Sequence, residues 1–410
     1  MTSQNNPAAV SPTSPSRHDL RNARFVIALA ILAAVLCSNA PVPLLSLYKQ
    51  QFHFSASTLT TVFVIYAGGV LVPLFLSDRL TRLAGSAKRL VIAALVMVTL
   101  GTIIFAFAQS LEWLLVGRLL SGIGTGSIVG PANAALVNTF APGRRDLGVV
   151  WGSVMFTAGA TIGPALSGLA LAFSFWPTVL PFIVIGLLAA GTAFAIVKMP
   201  WPNALPSTLG GGEILADLQT SVSPERRRIT FLLAALTVML SWAIGGILLT
   251  LGPLMALQLA NIQSRAEVAF IIAAFQGVAG ICQIVTARRS PRALACVGVV
   301  TMTVAFAGCT LAAWLNLPIV FGLCFIAVGI GNGAAFVGAA GLVIQVAEAA
   351  KRSRFISRLY IAAYVGNAIP VVIMGSLVDR FGLLPPMLGF VTLALLGVPV
   401  LVSKLRHRTC

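Results

Sequence analysis

The sequence predicts an all-α integral membrane protein whose twelve transmembrane helices form two six-helix bundles. Three observations carry this: a composition poor in charge, twelve long apolar runs, and basic residues gathered on alternate connections. Of 410 residues, 58% are hydrophobic and 9% charged, with mean hydropathy +0.97. A soluble chain carries about 25% charged residues. The composition therefore excludes a disordered chain, a secreted disulfide scaffold and an ordinary soluble enzyme. Crossing ~30 Å of hydrocarbon takes ~20 apolar residues at ~1.5 Å each. Continuous runs of that length suit helices, not the alternating strands of a barrel.

Residues 1–23 are polar, rich in Ser, Pro and Asn, and carry Arg17 and Arg21 without the apolar core of a signal peptide. They read as a disordered cytoplasmic tail. Six apolar runs follow at roughly 25–47, 57–77, 90–109, 113–138, 147–171 and 177–198, a first bundle over 24–199. Residues 200–228 hold prolines, then Gly210, Gly211 and Gly212, then Arg226, Arg227 and Arg228. This polar stretch reads as a cytoplasmic linker. Six more runs lie at roughly 229–257, 268–287, 293–314, 318–347, 353–378 and 385–403, a second bundle and short tail over 229–410.

A net charge of +17 would suit nucleic acid if it formed one patch. It does not. With the N-terminus cytoplasmic, 23 of the 27 basic residues fall on cytoplasmic segments, three (Lys49, Arg265, Arg380) fall outside, and Arg118 lies in a span. That bias places both termini in the cytoplasm and the chain in the plasma (cell inner) membrane. No nucleic-acid partner is expected. Five cysteines lie in apolar runs without a CxxC, and His18, His53 and His407 lie outside the runs. Neither a zinc site nor a disulfide framework is indicated, and no cofactor is expected. The spans hold no Asp, Glu or His, so an enzyme built on a nucleophile–base pair or metal ligands is disfavoured. A sensor would add a soluble output domain, and only short loops are present.

The halves repeat one another. Gly122-Ile-Gly124-Thr-Gly126 in the fourth span matches Gly329-Ile-Gly331-Asn-Gly333 in the tenth, 207 residues on. The same offset carries Arg144-Arg145 onto Lys351-Arg352, Gly159 onto Gly366 and Gly168 onto Gly375. Duplication of a six-helix unit is a transporter signature. Gly122, Gly126 and Gly130 share one helix face, where backbones can approach closely.

Three patterns give the chain, from about 24 to 404, a resemblance to the major facilitator superfamily. After the second span, Asp78-Arg79-Leu-Thr-Arg82 matches part of the family's Gly-x-x-x-Asp-Arg-x-Gly-Arg-Arg/Lys, without its glycines or last base. Arg118-Leu-Leu-Ser-Gly122-Ile-Gly124 matches Arg-x-x-x-Gly-x-Gly. Gly159-x3-Gly163-Pro164-x2-Ser167-Gly168 matches most of the fifth-span pattern of drug:proton antiporters, with Ser for one Gly and Val150 for the first Gly.

The resemblance implies the family's fold, alternating access, and efflux of small organic molecules, with protons as the exchange partner. It also implies a gate at Asp78, Arg79 and Arg82, against the plainer reading of solvated loop charges. Gly159, Gly163 and Pro164 read either as a simple kink or as a bend that lets the halves rock. In this family spans 1, 4, 7 and 10 line the central cavity, so Asn39, Arg118, Asn133, Trp242 and Asn332 are candidate substrate contacts. Tyr66, Gln276, Tyr364 and Asn367 lie at similar depth. For each, the competing role is an interhelical hydrogen bond worth ~0.6 kcal/mol. Arg118 stands apart, because an intramembrane charge costs at least ~2.5 kcal/mol. It lies ~9 Å along the helix from Glu112, so snorkelling toward the interface is its alternative role.

No GxxxxGK[ST] loop is present, so ATP does not drive transport directly. The expected partners are a small-molecule substrate and the lipid bilayer, with the chain acting as a monomer. Uptake or export of a single metabolite by symport or uniport is the alternative function.

Overall fold

The computed structural model describes residues 17–202, 223–348 and 352–408. Among these, the chain forms thirteen α-helices: α1 (Arg17–Asn39), α2 (Pro41–Gln51), α3 (Ala56–Ala84), α4 (Ala87–Ala106), α5 (Leu111–Asn138), α6 (Arg145–Ala172), α7 (Leu180–Lys198), α8 (Pro224–Gln258), α9 (Arg265–Thr286), α10 (Pro291–Trp314), α11 (Pro318–Val346), α12 (Arg352–Phe381) and α13 (Leu384–Arg408). Twelve stretches are long and apolar enough to cross a membrane, with α1 and α2 sharing the first.

Three boundaries differ from expectation. Helix α1 starts at Arg17, inside the stretch expected to be a disordered tail. Helix α8 starts at Pro224, so Arg226–Arg228 belong to its first turns and not to the linker. The reason is local: Ser223 caps the helix by accepting from the Arg226 N–H, with Pro224 at the first helical position, where its missing donor has no consequence. Most of the linker, and the first residues of the tail, lie outside the described residues. The third difference is that the Asp78-Arg79 motif is helical, not a loop. α3 continues to Ala84 and is closed by Gly85 at φ 72°, whose N–H bonds Arg82 O at 3.1 Å.

The glycine repeat builds equivalent packing in the two halves. Gly122 and Gly126 set α5 against α3 at the Tyr66 and Val70 carbonyls, and Gly329 and Gly333 set α11 against α9 at Phe275 and Ala279. Gly124 approaches α4 as Gly331 approaches α10, and Gly159 meets α1 as Gly366 meets α8. A Cβ at these positions would collide with backbone. A Cβ at Gly130, the third glycine of the expected stripe, would meet nothing within 4 Å, so this glycine takes no part in the close packing.

An even number of crossings returns the chain to its starting side, here called the terminal face. Near the opposite face the halves meet. Gly168 of α6 packs on Ala269 and Phe270 of α9, and its repeat partner Gly375 of α12 packs on Ser57 and Thr60 of α3. Hydrogen bonds join the halves on this side, between Arg265 and Gln50, between Gln276 and Asn39, and between Asp379 and the start of α3.

Candidate functional site

The first span is interrupted between Asn39 and Pro41. Pro41 and Pro43 lack the N–H groups that would bond the carbonyls of residues 37 and 39. Ala40 keeps helical angles (φ −57°, ψ −38°), so the span is kinked and not unwound. Carbonyls at the kink take side-chain partners. Arg118 Nη1 donates to Ser38 O at 2.9 Å, and Ser167 Oγ donates to Ala40 O at 2.7 Å.

Helix α6 forms the bed of this kink. Gly159 lies against Leu32 O and Val35, and Gly163 against Leu36 O, Ala40 N and the Asn39 Cβ. Pro164 is buried beside them. Within 159–168 the departure from the family pattern, Ser for Gly at 167, adds a contact: its hydroxyl donates to the Ala40 carbonyl, the first acceptor of α2.

Arg118 is only 1% exposed. Its guanidinium lies 5.4 Å from the Tyr66 ring and 5.9 Å from the Phe105 ring, within the range of cation–π attraction. Its Nε is buried without a hydrogen-bond partner. Snorkelling is not adopted: the head group bonds Ser38 O, while Glu112 is exposed and bonds Ser110. The ion pair between Arg227 and Glu348 lies at the terminal face, far from this charge. Arg118 is therefore a buried cation compensated by a carbonyl and two ring faces.

Asn39 sits at the kink. It donates to Val35 O at 3.0 Å within its own helix and accepts from Gln276 Nε2 at 2.9 Å across the halves. The structure thus brings together Asn39, Arg118, Tyr66 and Gln276.

A second group forms around α8. Asn332 donates to Ser241 O and Oγ at 3.1 and 3.0 Å, and Asn367 donates to Trp242 O at 3.0 Å. Gly245 and Gly246 leave room for these amides. The Trp242 ring packs edge-on against Tyr364 at 4.9 Å and tilted against Phe336 at 6.2 Å. Asn332 and Asn367 thus make the interhelical bonds named as their alternative role, and the aromatic faces remain half-buried.

Asn133 joins neither group. It donates to Val129 O at 2.8 Å and lies ~22 Å along α5 from Arg118. Gly122 is a packing residue between α5 and α3. Arg79 and Arg82 are exposed at the terminal-face end of α3, and the side chain of Asp78 lies outside the described residues. Sequence reasoning missed Ser38, Ser167, Ser241 and Phe336 as site builders. Pro41 and Pro43 were the available signal for the kink.

A family model described as Major Facilitator Superfamily matches residues 27–369. The chain is 27% identical over 211 residues to an uncharacterized MFS-type transporter, YcnB, of Bacillus subtilis, covering 47% of this chain and 43% of that protein. It is 31% identical over 180 residues to the multidrug efflux pump LfrA of Mycolicibacterium smegmatis, covering 39% and 34%. The matched stretch spans less than half of either relative. Among solved structures, a bacterial homologue of the human lysosomal transporter Spinster, inward-facing and occupied, superposes with a TM-score of 0.74 at 15% identity over 97% of this chain and 98% of that one. That likeness is one of fold.

Proposed function

The chain belongs to the major facilitator superfamily, and from that premise we propose that it exports small organic molecules through a site at the kink of its first span. It is a multi-pass secondary transporter, and the family's members are not enzymes. The observation that carries the reading is the Asn39–Gln276 bond, which joins the halves beside the kink and the buried Arg118. A solute bound there touches both halves, as alternating access about a site between repeats requires.

Arg118 sets the expected charge preference. A cation ~8 Å from it, at an effective dielectric of about 20, is repelled by ~2 kcal/mol. An anion gains the converse and a charge-assisted hydrogen bond if it reaches the guanidinium. Trp242 and Tyr364 offer apolar faces to the rest of the molecule. The substrate class is therefore neutral or anionic organic compounds. Asn332, Asn367 and Asn133 are secondary members of the cavity wall.

Outward transport is supported by the glycine–proline pattern of α6 and by the similarity to an efflux pump. The basic-residue bias supports a cytoplasmic terminal face in the plasma membrane, which makes the conformation here one closed to the outside. Asp78, Arg79 and Arg82 then serve the opposite state, by closing the cytoplasmic face. One copy holds both groups of site residues, so the monomer is the working unit. Protons are the proposed exchange partner.

Transport into inverted membrane vesicles tests direction and coupling together. Accumulation of anionic or neutral dyes, driven by acid inside the vesicle, is expected. Accumulation only in right-side-out vesicles would reverse the direction, and indifference to the pH gradient would remove proton exchange.

A further inference from the structure

Helices α3 and α12 run antiparallel across the junction of the halves, and the C-terminal end of α12 meets the N-terminal end of α3. There Asp379 Oδ1 accepts from the Ala56 N–H at 2.7 Å, and Oδ2 accepts from the Ser57 N–H at 3.0 Å. Both donors belong to the first turn of α3, where N–H groups have no intrahelical acceptor and the helix dipole is positive. The hydroxyl side of the same turn is already in use: Ser55 Oγ accepts from the Thr58 N–H at 3.1 Å and shares short contacts with Ser57 and Thr58. A carboxylate from the second half thus completes the cap of a helix in the first.

The cap is at full strength only while Asp379 is ionised. Protonation removes the charge that favours the helix start and makes one oxygen a donor facing N–H groups. Asp379 is exposed, so water on that face supplies the proton. The charged and titratable groups around it are few. Arg380 follows it on α12, and Lys49 and His53 precede α3, with the Lys49 ammonium bonded to Phe54 O at 2.9 Å. Helices α8, α11 and α13, which also pack on α12, bring no charged side chain to this face. No described cation therefore replaces the helix terminus as its partner. Close approach here is enabled by Gly375, one turn earlier on α12, which lies on Thr60 and Ser57.

We propose that Asp379 is a proton-binding latch, whose protonation from the opposite face releases α12 from α3 and opens that face. The sequence repeats the device at the other end of the same helix pair, where Asp78-Arg79 stands near the C-terminal end of α3 as Asp379-Arg380 stands near that of α12. The inference rests on the transport reading: an acidic exterior then favours the outward-open state that must accept the incoming proton. The latch itself depends only on the geometry at α3.

The test follows the face and not transport, so it fails independently of substrate or direction. Spin labels are placed at Phe173→Cys and Leu315→Cys, one exposed site in each half near the opposite face, in a full chain with its native cysteines replaced and held in lipid nanodiscs. Distance distributions are read from pH 8 to pH 4. The wild type is expected to move from a short to a long population as pH falls. Asp379→Asn is expected to show the long population at every pH. The ratio of short to long at pH 8 should fall roughly tenfold, the size of a lost charge-assisted hydrogen bond. Asp379→Glu should keep a pH response, and Glu112→Gln and His53→Gln should match the wild type. A wild-type distribution that ignores pH, an Asp379→Asn chain that still responds, or a response abolished by His53→Gln would each overturn the proposal.

Discussion

Ser167 shows how one atom can matter in a span. Its hydroxyl donates to Ala40 O at 2.7 Å, at a kink buried between α1 and α6. Losing this second bond to the carbonyl costs ~0.5–1.5 kcal/mol. Ser167→Ala and Ser167→Gly are both expected to lower the thermal midpoint in detergent, and Ser167→Thr to preserve it if the added methyl is accommodated. Equal midpoints for all three would show that water or lipid takes over the bond. Arg118 was legible in the sequence as the only charge deep in a span. Its main partner was not, because that partner is a backbone carbonyl, and a carbonyl leaves no mark on residue identity. The same limit hid the roles of Asn332 and Asn367. Their amides were read as lying at cavity depth, but whether each meets a solute or α8 depends on helix rotation. Nothing in the sequence marks Asp379, because residue identity does not say that α12 ends beside the start of α3.

At the scale of the element, the spans were legible because hydrocarbon demands long apolar runs, and their ends were not because caps decide them. Ser223 moved the start of α8 and Gly85 moved the end of α3. The kink in the first span was hidden for a different reason. Prolines lie inside α3, α5, α6, α8, α12 and α13 without dividing them, so Pro41 alone does not announce a break. A closely spaced pair, Pro41 and Pro43, is what removes successive bonds. Replacing both with Ala restores two donors and is expected to straighten the span. Transport should then fall about tenfold while the midpoint holds or rises, since proline inside a helix costs ~3 kcal/mol. Undiminished transport by a chain with this double replacement would show that the kink is not part of the site.

The whole molecule was the most legible scale. Composition, twelve runs and the 207-residue repeat imply two related bundles, and the repeated glycines do set equivalent helix pairs together. What a repeat cannot give is the state of the junction between its copies. Closure near the opposite face uses the repeat-related Gly168 and Gly375, but its hydrogen bonds come from residues without counterparts at the repeat offset, such as Gln276, Arg265 and Asp379. The proposed substrate charge is likewise a property of the assembled molecule, because it depends on Arg118 facing a solute in a low-dielectric interior with no described carboxylate beside it. The most direct measurement is transport of matched anionic, neutral and cationic dyes by wild-type and Arg118→Gln chains in proteoliposomes, normalised to folded protein. Repulsion of ~2 kcal/mol corresponds to roughly thirtyfold slower entry of the cation. The wild type should therefore favour anionic and neutral dyes, and Arg118→Gln should lose the anion most while admitting more cation. Strong cation transport by the wild type, unchanged in Arg118→Gln, would contradict a substrate site beside Arg118.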